Sequence, residues 1–343
     1  MTPAHSKSKA ASILFCLCLV ALALFGTCAR AAQAADRLVP QPEGASSSSQ
    51  VVPAIAGSQV ARLRGIFRKG LARGNRPRSF IKVGDSISWT PLFLQGFSCG
   101  EQRLASRASL GKTIRWHRGL RLDPSSSDAA CPGGGDDPFG RDSTSTRPYQ
   151  FSGWPLRTPP SYPPGMPADS RCEALESPIE CEARLLRPSI ALVMLGTNDA
   201  SVGVPPESVR SNLEEVVDWL IQRGSIPVLS TIPPRLDAPD RTASALSYNT
   251  EIRILGQEKR VPVIDLHRAF TADGMIAAGM SADGVHPSTL GVENCWWQNE
   301  RCRSTDLRPN GLRYGHNRRN LIVLQTLERL RARVIAPVLR SSR

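Results

Sequence analysis

Short apolar runs alternate with longer amphipathic stretches along most of the chain. The apolar runs predict strands over 80–83, 189–195, 226–231 and 261–265. The amphipathic stretches repeat their apolar residues at helical spacing, and they predict helices over 59–72, 99–116, 206–222, 244–259 and 321–334. The last of these helices should stop before Pro337, which cannot continue the hydrogen-bond ladder. The alternation predicts an α/β fold in which helices cover both faces of a parallel sheet.

Two segments lack this periodicity. Residues 35–56 are rich in serine and proline and predict a flexible linker. Residues 120–171 hold many prolines and the run Gly133-Gly134-Gly135, and they predict a long loop-rich insertion. The remaining chain, residues 57–340, is of a size for one domain.

The first residues read as a targeting segment. Lys7 and Lys9 precede an apolar run over 11–27, and Ala32-Gln33-Ala34 offers a small-residue cleavage site. The interpretation is a signal peptide over 1–34 and a secreted, extracytoplasmic product. Lipid anchoring at Cys28 is the alternative, although the residues before it match a lipidation site poorly.

Six of the nine cysteines follow this segment: Cys99, Cys131, Cys172, Cys181, Cys295 and Cys302. An even number in an exported chain favours disulfides. Closeness in sequence suggests the pairs Cys172/Cys181 and Cys295/Cys302, which leaves Cys99 with Cys131. No CxxC motif is present and no histidine stands at ligand spacing to a cysteine, so zinc is not expected.

The chain carries a net charge of +13, mostly from scattered arginines. Nucleic-acid binding would need a concentrated basic face or interleaved aromatic residues, and the distribution shows neither. We therefore expect no nucleic-acid partner. The sequence leaves the oligomeric state open.

Polar clusters follow two of the predicted strands. Gly84-Asp85-Ser86 comes directly after the first strand, and Asn198 comes just after the second. Open α/β sheets place their sites at such strand ends. Ser86 would offer a hydroxyl nucleophile, and Asn198 would offer a side-chain N–H to a developing oxyanion.

A third cluster lies near the C-terminal end. Asp283 and His286 stand three residues apart, close enough for the carboxylate to hold one imidazole nitrogen while the other faces a serine. Asp265 and His267 could form a rival pair, but more simply they mark the end of a strand. His117 has no motif around it and is expected at the surface, as is His316.

Each cluster alone is weak evidence, but their order together resembles the SGNH (GDSL-type) hydrolase family over roughly residues 78–290. The resemblance implies a three-layer α/β/α, flavodoxin-like fold and a serine esterase that needs no metal or other cofactor. It implies Ser86 as nucleophile, His286 as general base and Asp283 as its partner. The oxyanion hole would comprise the Ser86 backbone N–H, Asn198 and a glycine.

That glycine is best matched by Gly153, in the run Phe151-Ser152-Gly153-Trp154, with Gly119 as the fallback. Trp296 and Trp297 follow His286 and could line the substrate cleft or pack against the last helix. Asp85 is a further candidate for lining the substrate.

The sequence therefore predicts a secreted serine esterase that hydrolyses carboxylic esters, with either acyl or O-acetyl groups, through an acyl-enzyme intermediate. Its partners would be an ester-bearing small molecule, a lipid or an acetylated carbohydrate, without a membrane span after signal cleavage. The alternative is a catalytically silent secreted protein that binds carbohydrate or a surface and retains the same fold.

Overall fold

A parallel four-stranded sheet lies at the centre of the part of the chain that the computed structural model describes. The described residues are 50–98, 102–122, 137–157, 170–272, 276–291 and 303–342. The strands are β1 (Arg76–Gly84), β2 (Pro188–Met194), β3 (Ile226–Ser230) and β4 (Val263–Ile264). They pair in the order β1-β2-β3-β4, with one row of residues across the sheet: Val83, Val193, Leu229 and Val263. All four predicted strands are confirmed.

The helices surround this sheet. In chain order they are α1 (Gly57–Ala72), α2 (Ser86–Trp89), α3 (Ala108–Arg118), α4 (Pro178–Leu186), α5 (Thr197–Val202), α6 (Pro206–Gln222), α7 (Pro239–Lys259), α8 (Leu266–Thr271), α9 (Ile276–Gly279), α10 (Gly315–Leu330) and α11 (Ala336–Ser341). Single 3₁₀ turns occur at Gln95–Phe97, Trp154–Leu156 and Gly311–Arg313, and a π turn, Arg331–Ile335, joins α10 to α11.

Both faces of the sheet are covered. Every residue of β2 is buried, as a parallel strand between two helical layers requires. The helices α1, α3 and α10, with the π turn after α10, contact one another, whereas α6 and α7 form a second contacting pair. Both groups also contact strands of the sheet. Because successive residues of a strand point to opposite faces, the burial of every β2 residue shows that both faces of the sheet are covered. The predicted α/β class with two helical layers is confirmed.

Part of the predicted insertion continues the sheet beyond β1. The amide of Gly84 donates to Ser145 O at 3.0 Å, Arg147 N donates to Gly84 O at 3.2 Å, and Thr146 forms a parallel bridge with Gly84. The chain therefore crosses from β1 to one neighbour and later returns to β2 on the other side. This reversal at β1 is the switch point at which flavodoxin-like sheets bind their ligands.

Residues 137–157, the longest described part of this insertion, are loop-rich as predicted but firmly held. Glu182 of α4 is buried and accepts hydrogen bonds from Thr144 N at 3.0 Å and Thr144 Oγ1 at 2.9 Å. Asp137 accepts a hydrogen bond from Ser98 Oγ at 2.7 Å. These contacts fix the stretch beside the end of β1. Residues 123–136 and 158–169 lie outside the described residues.

Three of the predicted helices have different bounds in the structure, and the last of them begins at Gly315. The helix predicted over 99–116 begins at Ala108, and the one predicted over 244–259 begins earlier, at Pro239. The last helix does not stop before Pro337 but continues to Ser341. The wider π turn lies just before Pro337, and Pro337 enters α11 in its first turn, where its missing N–H has no helical partner to lose.

The linker prediction is wrong for residues 51–55. Ile55 is buried in the core, Asp265 N donates to Val51 O at 3.1 Å, and Arg329 Nη1 donates to the carbonyls of Val52 and Pro53, each at 2.8 Å. Pro53 and Ile55 are buried and Val51 and Val52 are half-buried against the domain, so this stretch packs on the domain instead of remaining in solvent. Residues 35–49 and the predicted signal peptide lie outside the described residues, so both remain predictions.

His117 is not at the surface as predicted. It is fully buried, its Nδ1 lies 2.7 Å from the carbonyl of Arg78, and its ring packs edge-on against Phe80 at 5.1 Å. Burial lowers its pKa to about 4. The histidine is therefore a neutral core residue, and it lies near the start of β1.

The Cys172–Cys181 disulfide is present and ties the start of α4 to the chain before it. The other four cysteines of the predicted pairs lie outside the described residues. No helix within the described ranges is both long and apolar enough to cross a bilayer.

Candidate active site

Ser86 is placed by the turn between β1 and α2. The strand ends at Gly84, and Ser86 is the first residue of the short helix. A Cβ on Gly84 would lie 2.5 Å from Ser88 Oγ and 2.7 Å from Met194 O, so only glycine fits between β2 and α2. As the first helical residue, Ser86 has an N–H that needs no partner within the helix.

Asp85 is not available to substrate, contrary to the prediction. Its side chain is fully buried, and Oδ1 accepts a hydrogen bond from Ile87 N at 3.0 Å, which caps the N-terminus of α2. Burial raises its pKa to about 6, although that hydrogen bond and the charge of Arg319 oppose the shift. Asp85 therefore shapes the turn below Ser86.

His286 and Asp283 lie together on the loop after α9. His286 Nδ1 lies 2.6 Å from Asp283 Oδ2, and His286 Nε2 lies 2.9 Å from Ser86 Oγ. Ser86 and His286 are separated by 200 residues of chain. Because an ionised carboxylate can only accept, Nδ1 donates to Asp283, which leaves Nε2 to accept the serine proton. This is the geometry of a nucleophile, a base and its orienter.

Asp283 is held in its charged form. Burial favours the neutral acid, but hydrogen bonds from Ser281 Oγ, His286 N, Val285 N and the imidazole outweigh that effect. Together they lower its pKa to about 2. Below its unfolded pKa of about 4, Asp283 would begin to lose this stabilising contribution, and the loss is complete once the pH falls through about 2. At neutral pH, Asp283 is an anion facing His286.

The Asp283 loop requires a glycine at its centre. Gly284 has φ +69°, in the left-handed region, and a Cβ there would lie 2.9 Å from Asp237 N. Its carbonyl accepts a hydrogen bond from Leu236 N at 2.8 Å. The loop is thereby fixed to the chain that follows β3.

Asn198 lies at the start of α5, at the end of β2. Its Nδ2 donates to Gln150 O at 2.9 Å, which uses one of the two amide hydrogens and leaves the other for a ligand. This contact places the 150–153 loop, and with it Gly153, next to Asn198. The fallback glycine is excluded: Gly119 follows α3 and accepts a hydrogen bond from Arg78, near the opposite end of β1.

A buried network fixes Gly153 beside Asn198. Asp199 accepts hydrogen bonds from Ser152 Oγ at 2.7 Å and from Ser152 N at 3.0 Å, and Asn212 Nδ2 of α6 donates to Ser152 Oγ at 2.9 Å. Burial raises the pKa of Asp199, while the bonds from Ser152 act in the opposite direction. A Cβ on Gly153 would lie 3.2 Å from Asn212, so the glycine packs tightly against α6.

The rival pair has a structural role instead. Asp265 accepts a hydrogen bond from Arg253 Nε at 3.0 Å and caps α8 through Arg268 N. His267 belongs to the first turn of that helix, and burial lowers its pKa. Trp296 and Trp297 lie outside the described residues. In the described part of the chain, no group of three or more His, Cys, Asp or Glu side chains is arranged to hold a metal ion.

Several residues of this site could not be predicted from motifs. Ser281 and Ser152 carry ordinary loop hydroxyls, and Asn212 lies on an amphipathic helix like many others. Arg319, which contacts α2, is one arginine among many. His316 was expected at the surface but is 2 % exposed, and burial lowers its pKa well below the usual value. Local sequence offers no signal for such tertiary contacts.

Residues 143–293 match the model of the GDSL-like lipase/acylhydrolase family. The matched span contains Gly153, Asn198, Asp283 and His286, whereas Ser86 precedes it. No curated protein sequence matches the chain.

Three solved structures resemble the chain distantly. A lipase/acylhydrolase from Enterococcus faecalis is 15% identical with a TM-score of 0.39, covering 73% of this chain and 95% of its own. A GDSL-like lipase from Bacteroides thetaiotaomicron is 10% identical with a TM-score of 0.37, covering 79% of this chain and 98% of its own. The psychrotrophic esterase EstA from Pseudoalteromonas is 16% identical with a TM-score of 0.34, covering 61% of this chain and 87% of its own.

Proposed function

We propose that the chain, whose residues 143–293 match the GDSL-like lipase/acylhydrolase family, is an ester hydrolase of that family and acts through Ser86, His286 and Asp283. The observation that carries the proposal is the pair of contacts on His286: 2.9 Å from Nε2 to Ser86 Oγ, and 2.6 Å from Nδ1 to Asp283 Oδ2. One imidazole thus links a hydroxyl to a carboxylate, as nucleophilic catalysis requires.

The reaction proceeds in two steps. In the first, Ser86 Oγ attacks the ester carbonyl carbon while His286 Nε2 takes the hydroxyl proton, and that proton then passes to the departing alcohol. In the second, water attacks the acyl-enzyme with His286 again as base, which releases the acid and restores Ser86. The His286 side chain is 25% exposed, so water can reach it.

The developing oxyanion is held by three donors: the Ser86 N–H, the Gly153 N–H and the second amide hydrogen of Asn198. Ser86 N lies at the start of α2, and the other two groups are joined through the 150–153 loop. Fixed donors of this kind favour the tetrahedral intermediate over the planar ester.

Covalent labelling tests the proposal directly. A fluorophosphonate should label the wild-type protein at Ser86, since the probe traps an activated serine. Ser86→Ala should abolish both labelling and ester hydrolysis, and His286→Ala should slow both by several orders of magnitude. Ser88→Ala, which removes the other serine of α2, should still be labelled. Mass spectrometry that locates the label on any other residue would rule out Ser86 as the nucleophile.

Exposed apolar side chains border the candidate site. Tyr149 is 75% exposed and Phe151 41% exposed, and they flank Gln150, whose carbonyl is held by Asn198. Tyr149 also has φ +62°, a strained conformation for a tyrosine. Val202 is 65% exposed and lies one helical turn after Asn198, on the same face of α5.

Leu236 completes this apolar border. It is 45% exposed and donates its backbone N–H to Gly284 O, within the Asp283 loop. Three chain segments therefore present apolar groups around the polar site. Apolar side chains that line a binding site favour a ligand with an apolar group. We propose that the preferred ester carries a sizeable apolar group and not acetyl alone.

A panel of esters differing in acyl length tests this preference. Tyr149→Ser should lower kcat/KM for an octanoyl ester about tenfold relative to the acetyl ester, the effect of losing roughly 1.4 kcal/mol of apolar contact. Leu175→Ser is the matched control, because Leu175 is 81% exposed and lies near Pro188, at the opposite end of β2. Equal octanoyl-to-acetyl ratios in wild type and Tyr149→Ser would contradict the proposed preference.

A further inference from the structure

The first turns of α10 contact the segment that follows His286. Gly315 N donates to Ser288 Oγ at 3.2 Å, and His316 N donates to Ser288 O at 2.8 Å. Asn317 Oδ1 accepts a hydrogen bond from Leu290 N at 3.1 Å. The start of α10 therefore fixes the chain two to four residues after the imidazole.

The next turn of the same helix contacts the Ser86 side of the site. Arg319 Nη1 donates to Ile87 O at 2.6 Å, and Nη2 donates to Ser88 Oγ at 2.9 Å. Its guanidinium lies 3.6 Å from the centre of the Phe93 ring. Asn320 continues the contact, since it accepts from Leu94 N at 3.2 Å and donates to Leu92 O at 2.9 Å.

Arg319 is an unusual group to bury. Only 3% of the residue is exposed, and its hydrogen bonds go to a carbonyl and a hydroxyl, neither of which carries a charge. Burial lowers its pKa to about 9, and the nearby charge of Asp85 partly opposes this. Taking a cation out of water without a bonded anion costs stability, so the burial of Arg319 points to a role for its geometry.

We propose that Arg319 is a positioning residue, through which α10 aligns the Ser86 turn with the His286 loop. The inference rests on the proposed role of Ser86 and extends it. The guanidinium fork fixes the two residues directly after Ser86, while Gly315 and His316 fix Ser288, two residues after His286. Three residues of one helix thus set the distance between a hydroxyl and an imidazole that belong to distant parts of the chain.

The test compares two arginines of α10 that both bind backbone carbonyls. Arg319→Gln removes the guanidinium that donates hydrogen bonds to Ile87 O and Ser88 Oγ. Arg329→Gln is the matched control, because Arg329 donates to the carbonyls of Val52 and Pro53, on a segment that does not carry the site. Each variant is assayed for kcat and KM on a p-nitrophenyl ester and for the rate of fluorophosphonate labelling. Both are measured at a temperature where circular dichroism shows the fold intact.

Arg319→Gln should lower kcat and the labelling rate on the order of 100-fold with KM nearly unchanged, because a misplacement of about 1 Å reduces turnover by that factor. Arg319→Lys should fall between wild type and Arg319→Gln, since it keeps the charge but loses the planar fork. Arg329→Gln should lower the melting temperature while turnover remains within twofold of wild type.

Wild-type kcat in folded Arg319→Gln would overturn the inference and leave Arg319 a purely stabilising residue. So would equal losses of turnover in Arg319→Gln and Arg329→Gln. If Arg319→Gln does not fold, Ser88→Ala is the deciding variant, because it removes one hydrogen bond of the Arg319 guanidinium and keeps the charge. Labelling of Ser86 that is several-fold slower than in the wild type would support the inference. Labelling at the wild-type rate would refute it. A wild-type protein that fluorophosphonate does not label would instead refute the role of Ser86, whatever Arg319 does.

Discussion

At the scale of single residues, Asp85, the neighbour of Ser86, is a buried carboxyl group with a raised pKa. Asp85 is fully buried, and one of its carboxylate oxygens caps α2 by accepting a hydrogen bond from Ile87 N. Its pKa of about 6 is raised because burial penalises the anion. The folded protein therefore binds a proton between about pH 4 and pH 6 that the unfolded chain has already released, so stability falls as the pH rises through this window.

Asp85→Asn should remove this dependence, because the amide stays neutral and its oxygen can still cap α2. The free energy of unfolding of the variant, relative to wild type, should rise by roughly 3 kcal/mol between pH 4 and pH 7.5, the equivalent of a shift of about two pKa units. Urea denaturation at the two pH values measures the difference. Asp240→Asn, at an exposed position of α7, is the control, and its free energy of unfolding relative to wild type should change little between the two pH values. If the difference between Asp85→Asn and wild type is the same at both pH values, a buried Asp85 does not ionise in this range.

At the scale of elements, the 150–153 loop has no regular secondary structure but is held in place by side-chain hydrogen bonds. The 150–153 loop bonds to Asn198 through Gln150 and to Asp199 through Ser152, and α6 adds Asn212. The start of α5 thus carries Asn198, one proposed oxyanion donor, and binds the loop that carries Gly153, another proposed donor. We infer that the preorganisation of the oxyanion hole depends on Ser152 as much as on the donors themselves.

Ser152→Ala tests this dependence. Losing the hydroxyl removes a bond to each of Asp199 and Asn212, and it should destabilise the fold by about 1–3 kcal/mol and lower kcat at least about tenfold. Ser189→Ala is the control, because Ser189 is also fully buried and bonds to Arg76 O at 2.9 Å, but at the start of β2. It should lower the melting temperature with turnover unchanged. Equal turnover in both variants would show that the loop does not depend on Ser152 for its position.

At the scale of the whole molecule, the site lies at the point where the order of strand addition reverses, beside β1. The chain passes from β1 to its outer neighbour at 143–147 and then to β2, so the carboxyl ends of β1 and β2 face one crevice. Ser86 follows the first of these ends and Asn198 the second. The helix α10 then connects this edge to the His286 loop. The proposed catalytic groups come from four separate segments, and the strand order brings these segments together.

The sequence by itself determined the elements that depend on local pattern. Apolar runs located all four strands, the turn after β1 located Ser86, and the nine-residue spacing of Cys172 and Cys181 indicated their disulfide. Where pattern was absent, the predictions were less accurate: residues 51–55 pack on the domain, with Ile55 in its core, and His117 is buried. Apolar periodicity reports which face of an element is buried, but it does not report what covers that face.

Only the tertiary structure decided which distant side chains meet. Arg319 reaches Ile87 across 232 residues, and Asn212 reaches Ser152 across 60. Neither contact is encoded by spacing, because both depend on the order of the strands and on which helices cover each face. The burial of Asp85 is decided in the same way. The physical reason is that local preferences act over a few residues, whereas desolvation and hydrogen bonding depend on whatever the completed fold places beside a group.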